Sequence, residues 1–394
     1  MKTRVAVLFG GRSVEHEVAI ISGVQAMRYL DADKYEIFPV YLGKEGEMLF
    51  SPDFLDINTF KHRSLSSLRE AYPSVILTSI RGVATLVEVK KDCRKGKTIS
   101  PIDVVLPVVH GTNCEDGTVQ GWLELLNVPY AGCGVMSSAL GMDKDLFKRV
   151  LQSAGLPTLP HLAFTGKDWT EDTEGWIAKI EENFGYPVIV KPANLGSSVG
   201  IGKSHDRAGL IDAVDLASSF APKLLVERAV TQLREINCSV LGDSDECRAS
   251  ACEEPFTNDD ILSYQEKYLS SGSSKGMTSL KRKLPADIPA EMTKRIQEIS
   301  CQVFRLIGAS GVVRIDYLID GKDNTVYVNE INTIPGSLSN YLWDYSGMNF
   351  GQLADKLIDL AFARSREASF KITDFGGNIF SSMKKGGKFG GIKK

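Results

Sequence analysis

The chain runs to 394 residues, 43% hydrophobic and 24% charged, with 46 basic against 49 acidic side chains. That length predicts two to four domains at roughly 100–200 residues each, and the composition excludes a fibrous or disordered chain. The near balance of charge gives no global basic field for nucleic acid or an anionic membrane, so the expected partners are small molecules.

The chain opens on a short β-rich apolar run, residues 5–9, too brief for a signal-peptide core. No stretch approaches the roughly 20 apolar residues of a bilayer span, and a cytoplasmic location is expected. The run turns at Gly10-Gly11 and continues with apolar residues at helical spacing, which predicts strand, loop and helix. Further apolar runs at 35–41 and 102–109 alternate with a helical segment at 117–126, the rhythm of a parallel sheet. These predict an N-terminal parallel α/β domain over 1–135, with residues 45–100 as a poorly patterned insertion. A smaller central α+β domain is expected over 136–230: helix 143–154, strand 161–165, helix 171–184, strand 187–191, a Gly/Ser loop, helix 207–220 and strand 224–229. A C-terminal α+β domain over 231–368 follows, with strands at 235–241 and 248–253. Its polar stretch 255–285 lacks periodicity and reads as a lid. A helix at 289–307, the strands GVVRIDYLI and TVYVNEIN, and a helix at 350–364 complete it. Residues 369–394 read as a disordered tail, since SSMKKGGKFGGIKK holds five lysines and four glycines in fourteen residues. The seven cysteines, Cys93, Cys114, Cys133, Cys238, Cys247, Cys252 and Cys301, form no CxxC pair and read as free thiols.

The clearest chemical pattern is Arg314, Asp316, Glu330 and Asn332. Alternation puts each pair on one face of its strand, and neighbouring strands would unite all four. Two carboxylates and an amide oxygen suit Mg²⁺ that also holds phosphates, and an arginine beside them suits a developing negative charge. Half-exposed strands with solvated polar faces would give the same pattern. The loop after Lys191, Gly196-Ser197-Ser198, could bring backbone amides to phosphate oxygens, or be a plain hairpin. It is not a Walker A motif, because GxxxxGK[ST] is absent. Near the first helix, Glu15 and Glu17 would repel a pyrophosphate and suit an amino group, while a favourable helix-dipole interaction of about 0.3–1 kcal/mol also explains them. The missing GxGxxG argues against a dinucleotide-binding dehydrogenase. His110 ends a β-run, where open α/β sheets bind ligands, though one histidine is more often structural. Glu227 and Glu235 lie near strand ends and could bond a nucleotide or simply be solvated.

The motifs GGRSVEHE, HGTNCEDGTVQG, YAGCGVMSSALGMDK, VIVKPANLGSSVG, YQEKY, RIDY and NEINTIPG stand in the order found in D-alanine–D-alanine ligases. The chain resembles that family over about residues 3–365, and the resemblance implies a three-domain ATP-grasp architecture. It also implies ATP-dependent joining of two D-alanines through an acyl-phosphate for peptidoglycan, in a homodimer. Carried over residue by residue, Glu15 would receive the first ammonium, linked with Ser197 and Tyr268. Lys144, Lys191 and Ser198 would meet the ATP phosphates and Lys267 the γ-phosphate, while Glu227 and Glu235 hold adenine and ribose. Asp316, Glu330 and Asn332 would bind two Mg²⁺, with Mn²⁺ a possible substitute. Arg314 with the backbone of Gly336 would form the oxyanion site, near His110 and the first substrate. Tyr341 and Leu342 depart from the small hydroxyl residues of well-known members near the second substrate. A related ligase using D-serine or D-lactate, or a non-catalytic nucleotide-binding homologue, remains the alternative.

Overall fold

The computed structural model describes residues 1–61, 63–90, 94–255, 282–370 and 372. The expected lid, 255–285, and the expected tail, 369–394, fall almost entirely outside them.

Three sheets organise the chain. The first has the order β6-β5-β4-β3-β2-β1-β7, from β1 (Thr3–Gly10), β2 (Tyr35–Leu42), β3 (Met48–Phe50), β4 (Ser74–Ile80), β5 (Val83–Val89), β6 (Lys95–Pro101) and β7 (Val104–Val109). Its parallel part is β2-β1-β7, with Thr3 opposite Tyr35 and Val5 opposite Val104. Every residue of β7 is buried, as strands covered on both faces require. The first helix, His16–Tyr29, comes close to β1 through Gly23, where a Cβ would stand 2.4 Å from the Cβ of Phe9.

Over 45–100, the stretch expected to hold an insertion, the structure corrects the expectation of a parallel N-terminal sheet. Strands β3 to β6 pair antiparallel and continue the same sheet outward, so the N-terminal sheet is mixed rather than parallel throughout. The physical reason is a one-sided surface: Val75 and Leu77 are buried while the alternating Ser74 and Ile76 are exposed. Such half-buried antiparallel strands carry a weaker apolar signal than the doubly covered β7. Their hairpin turns at Arg81-Gly82 with φ 53° and 80°, without the asparagine or aspartate that usually marks this turn.

The second sheet, β10-β9-β11-β8, is antiparallel and uses β8 (His161–Thr165), β9 (Val188–Pro192), β10 (Gly202–Ser204) and β11 (Lys223–Arg228). Ile177, Ile180, Leu210 and Val214 of two helices, Thr173–Phe184 and Arg207–Ser218, pack on Val188, Val190, Leu224 and Val226. The helix expected at 171–184 is Thr173–Phe184, where Asp172 caps the start by accepting from Gly175 N–H, and a short helix Gly166–Glu171 precedes it.

The third sheet, β14-β13-β12-β15-β16, is antiparallel and uses β12 (Arg234–Gly242), β13 (Cys247–Pro255), β14 (Arg282–Lys283), β15 (Gly311–Asp320) and β16 (Thr325–Asn332). Helix Ala290–Leu306 covers one face, setting Ile296, Val303 and Phe304 in one core with Ile236, Val313 and Ile315. Strand alternation therefore turns Arg314 and Asp316 to the opposite face.

The last helix runs Phe350–Ser369, longer than the expected 350–364, and packs back on the first sheet's core through Leu353, Leu357 and Ile358. Arg364 anchors it on the carbonyls of Tyr130 and Gly132, each at 2.6 Å. Among the described residues no helix is long and apolar enough to cross a membrane, and the six described cysteines are free.

Candidate active site

A cleft of about 1220 Å³ lies between the second and third sheets, with Lys144, Lys191, Glu227, Glu235, Asp316 and Glu330 in its wall. A pocket of about 70 Å³ continues from it toward the first sheet, lined by Glu15, His110, Ser197, Arg314 and Gly336. Asp316 and Glu330 line both, so the two cavities share a floor.

That floor is the β15–β16 pair. In its register Arg314 faces Asn332 and Asp316 faces Glu330, which unites the four residues expected from alternation. The guanidinium of Arg314 grips Asp316 with two bonds, Nε to Oδ1 and Nη2 to Oδ2, both 2.7 Å. Asn332 adds Nδ2 to Asp316 Oδ2 at 3.1 Å. Burial opposes the charge on Arg314, but the Asp316 carboxylate outweighs it and raises the guanidinium well above its ordinary pKa. Between Asp316 and Tyr317 the register shifts, and Asn329 is the extra residue of a bulge. Its Oδ1 accepts from Lys191 Nζ at 3.1 Å, a contact invisible in the alternation of the sequence.

At the nucleotide-sized end, Glu227 is buried between two lysines. Lys191 Nζ donates to Oε1 at 2.5 Å and Lys148 Nζ to Oε2 at 2.6 Å. Burial alone would push the carboxyl up, yet the two ammonium groups win and hold it at about 2. Burial lowers Lys148 to about 8 against the pull of Glu227. Lys148 was not foreseen; its only signal is its place four residues after Lys144, on the same face of helix Lys144–Ser153. Lys144 Nζ meets the carbonyl of Leu195 at 2.6 Å and Glu330 Oε2 at 3.1 Å. Ser198 lines the cleft, and both Ser197 and Ser198 hold positive φ, 55° and 59°.

At the other end Ser197 Oγ donates to Glu15 Oε1, joining the Gly/Ser loop of the second sheet to the start of the first helix. Gly196 permits that approach, since a Cβ there would stand 3.2 Å from Glu15 Oε2. Glu17 points elsewhere and pairs with Lys44 at 2.7 Å. His110 Nδ1 donates to the Ile334 carbonyl at 2.8 Å, which leaves Nε2 to accept from Ser22 Oγ at 3.0 Å. Burial lowers the imidazole to about 4, so it is neutral. Glu115, from the CEDG motif, accepts from Gly111 N–H and Ile334 N–H, both at 2.8 Å. Burial first and the charge of Glu15 second raise it to about 8.

Tyr341 and Leu342 line neither cavity. On the helix Asn340–Tyr345 they point in different directions: Leu342 is fully buried, and the Tyr341 hydroxyl donates to Glu253 Oε1. Glu253 also accepts from Asn237 Nδ2 and Arg282 Nη1, each at 3.0 Å, and the Arg282 guanidinium lies 4.0 Å over the Tyr341 ring. Glu253 and Arg282 both line the small pocket, so the Tyr341 phenol stands directly behind its wall with its hydroxyl held by a protein acceptor. Lys267 and Tyr268 lie outside the described residues.

Comparison with known proteins places the chain in one family. Residues 4–133 match the family description "D-ala D-ala ligase N-terminus" and residues 150–359 match "D-ala D-ala ligase C-terminus". The chain is 42% identical to a D-alanine–D-alanine ligase of Thermoanaerobacter pseudethanolicus, over 93% of this chain and 98% of that one. Among solved structures it resembles the D-alanine–D-alanine ligase from Coxiella burnetii, with TM-score 0.78 and 30% identity over 93% and 96% of the two chains. It also resembles the VanG D-Ala:D-Ser ligase from Enterococcus faecalis, with TM-score 0.76 and 32% identity over 92% and 100%.

Proposed function

Because the chain belongs to the D-alanine–D-alanine ligase family, we propose that it joins two D-alanines at the expense of ATP, through a D-alanyl phosphate, for peptidoglycan synthesis. The observation that carries this reading is the shared floor, where Arg314, Asp316, Glu330 and Asn332 stand between a nucleotide-sized cleft and a small acidic pocket.

In the larger cleft, Lys144, Lys191 and Ser198 receive the phosphates, with Glu227 and Glu235 toward adenine and ribose. Asp316, Glu330 and Asn332 present hard oxygen ligands at neighbouring register positions of one sheet face, a donor set that fits Mg²⁺, or Mn²⁺ in its place. When bound, two such ions would neutralise the phosphate oxygens during transfer. In the small pocket, Glu15 takes the ammonium of the first D-alanine and leaves its carboxylate facing the floor. That carboxylate attacks the γ-phosphate, and ADP leaves. The amine of the second D-alanine then attacks the acyl-phosphate carbon. Arg314 and the Gly336 N–H stabilise the negative charge that forms on the carbonyl oxygen, and phosphate departs. The chain's contribution is placement and charge, since neither step needs a protein nucleophile. His110, neutral and bonded at both nitrogens, orients and does not transfer protons.

Residues 1–135 would supply the first substrate's site, 136–230 and 231–368 the two halves of the nucleotide cleft. By resemblance, Lys267 and Tyr268 complete the γ-phosphate contact and the Glu15–Ser197 set. The reading also includes a cytoplasmic homodimer. Incubation with ATP, Mg²⁺ and D-alanine should release phosphate and dipeptide in equal amounts. D-serine and D-lactate offered in competition would move the product if the second subsite prefers either, and phosphate release without any dipeptide would overturn the reading.

A further inference from the structure

The turn after β16 runs against the ordinary preference of an L-amino-acid chain. Ser337, Leu338 and Ser339 hold φ of 50°, 51° and 51° in succession, and none is glycine. Left-handed backbone crowds the Cβ of an L-residue against its own chain, so such a run persists only where its surroundings over-determine it.

Those surroundings are polar and come from the N-terminal half of the chain. Ser22 of the first helix is buried, and its Oγ accepts from Ser337 N–H at 3.0 Å. The Ser22 hydroxyl donates to His110 Nε2 at 3.0 Å, and His110 Nδ1–H donates to the Ile334 carbonyl at 2.8 Å. The turn is thus gripped at Ile334 and at Ser337 by one continuous chain of bonds. Gln25, three residues beyond Ser22 and on the same helix face, accepts from Ser337 Oγ at 2.8 Å. Glu115 takes the Ile334 N–H. Gly336 lies inside the gripped segment and in the wall of the small pocket, whereas Ser22 and Gln25 line neither cavity.

We propose that Ser22 and Gln25 are positioning residues for the ligation: by holding Ser337 directly and Ile334 through His110, they set the direction in which Gly336 presents its N–H. This rests on the reading of Gly336 and Arg314 as the oxyanion site. A donor there serves only when it stands 2.7–3.1 Å from the oxygen that becomes negative, so its aim matters more than its presence. Neither residue touches substrate; their effect passes through the turn and falls on turnover rather than on nucleotide binding.

The test compares wild type with Ser22→Ala, Gln25→Leu, Gln25→Glu and Arg314→Lys, recording kcat, KM for ATP, dipeptide formed per phosphate released, and melting temperature. Ser22→Ala and Gln25→Leu should each lower kcat roughly 10- to 100-fold, as misplacement by about 1 Å does. KM for ATP should stay within about twofold, and dipeptide per phosphate should fall. Gln25→Glu keeps an acceptor for Ser337 Oγ and should restore kcat. Wild-type turnover in both Ser22→Ala and Gln25→Leu overturns the inference, as does an equal loss in Gln25→Glu and Gln25→Leu. If Ser22→Ala does not fold, the Gln25 pair decides. Loss in Arg314→Lys with none at Ser22 or Gln25 removes the inference and leaves the oxyanion reading standing; full activity in Arg314→Lys removes the oxyanion reading itself.

Discussion

Glu227 at the nucleotide end and Glu115 at the acyl-transfer end are both buried, and burial alone would raise both carboxyls. Only Glu115 follows that rule, to about 8, while Glu227 falls to about 2. Glu227 has an ammonium on each oxygen. Glu115 has a backbone N–H on each oxygen, and the charge that acts on it most is the like-charged Glu15, with Arg314 opposing more weakly. The comparison shows that the sign of a buried carboxyl's shift comes from its partners, and that the two ends of this site are charged for different ligands. The lysine-lined end suits phosphates, and the carboxylate-lined end suits an ammonium.

The two ends meet at Asp316, so its removal should have the largest effect. Asp316→Ala is expected to lower turnover roughly 10³-fold or more, equivalent to about 4 kcal/mol of transition-state stabilisation, with an unchanged circular dichroism spectrum. A folded variant of normal activity would separate the ends and sink the metal assignment.

The next largest effect falls on stability at the nucleotide end. Glu227→Gln leaves two buried lysines facing a neutral amide and should cost about 3–5 kcal/mol in urea unfolding. Lys148→Met should cost less, because Glu227 keeps Lys191. Equal losses would mean that Lys148, not Glu227, holds the cluster.

The smallest effect distinguishes the ends by pH. Glu227, with its folded pKa depressed, contributes stability above the ordinary carboxyl value of 4.5 that is lost as pH falls from there toward about 2. Glu115, with its folded pKa raised, contributes stability present below 4.5 that is lost as pH rises through about 8. The melting temperature of Glu115→Gln should therefore gain on wild type between pH 5 and about 8, and the gain should level off above that. A difference that is flat across the range would return Glu115 to ordinary behaviour and erase the contrast.

Local pattern accounts for what could be read in advance. Strand alternation is a two-residue period, so the shared face of Arg314 and Asp316 and that of Glu330 and Asn332 were legible before any fold was known. The same holds for helix Lys144–Ser153, β8 and helix Ala290–Leu306, whose bounds lie within a residue or two of expectation. The ordered motifs likewise carried the family, because each is a short string that keeps its chemistry without reference to its neighbours in space.

Pairing between distant segments was not legible. Strands β3 to β6 owe their pairing to partners in the sheet and not to their own periodicity. The bulge that brings Asn329 to Lys191 exists only in the register of β15 against β16. Lys148 reads as a surface lysine until β11 places Glu227 beside it, 79 residues away in the chain. Ser22 reads as a small helix residue until Ser337, 315 residues on, donates to it. That the Tyr341 hydroxyl meets Glu253 of the pocket wall, 88 residues back in the chain, is likewise decided by folding alone. By itself the sequence determined the local elements, the strand faces and the chemical types in the site, because these depend on neighbours a few residues apart. Only the tertiary structure decided which charge meets which, because a buried group's protonation and direction follow from partners that folding brings within about 3 Å.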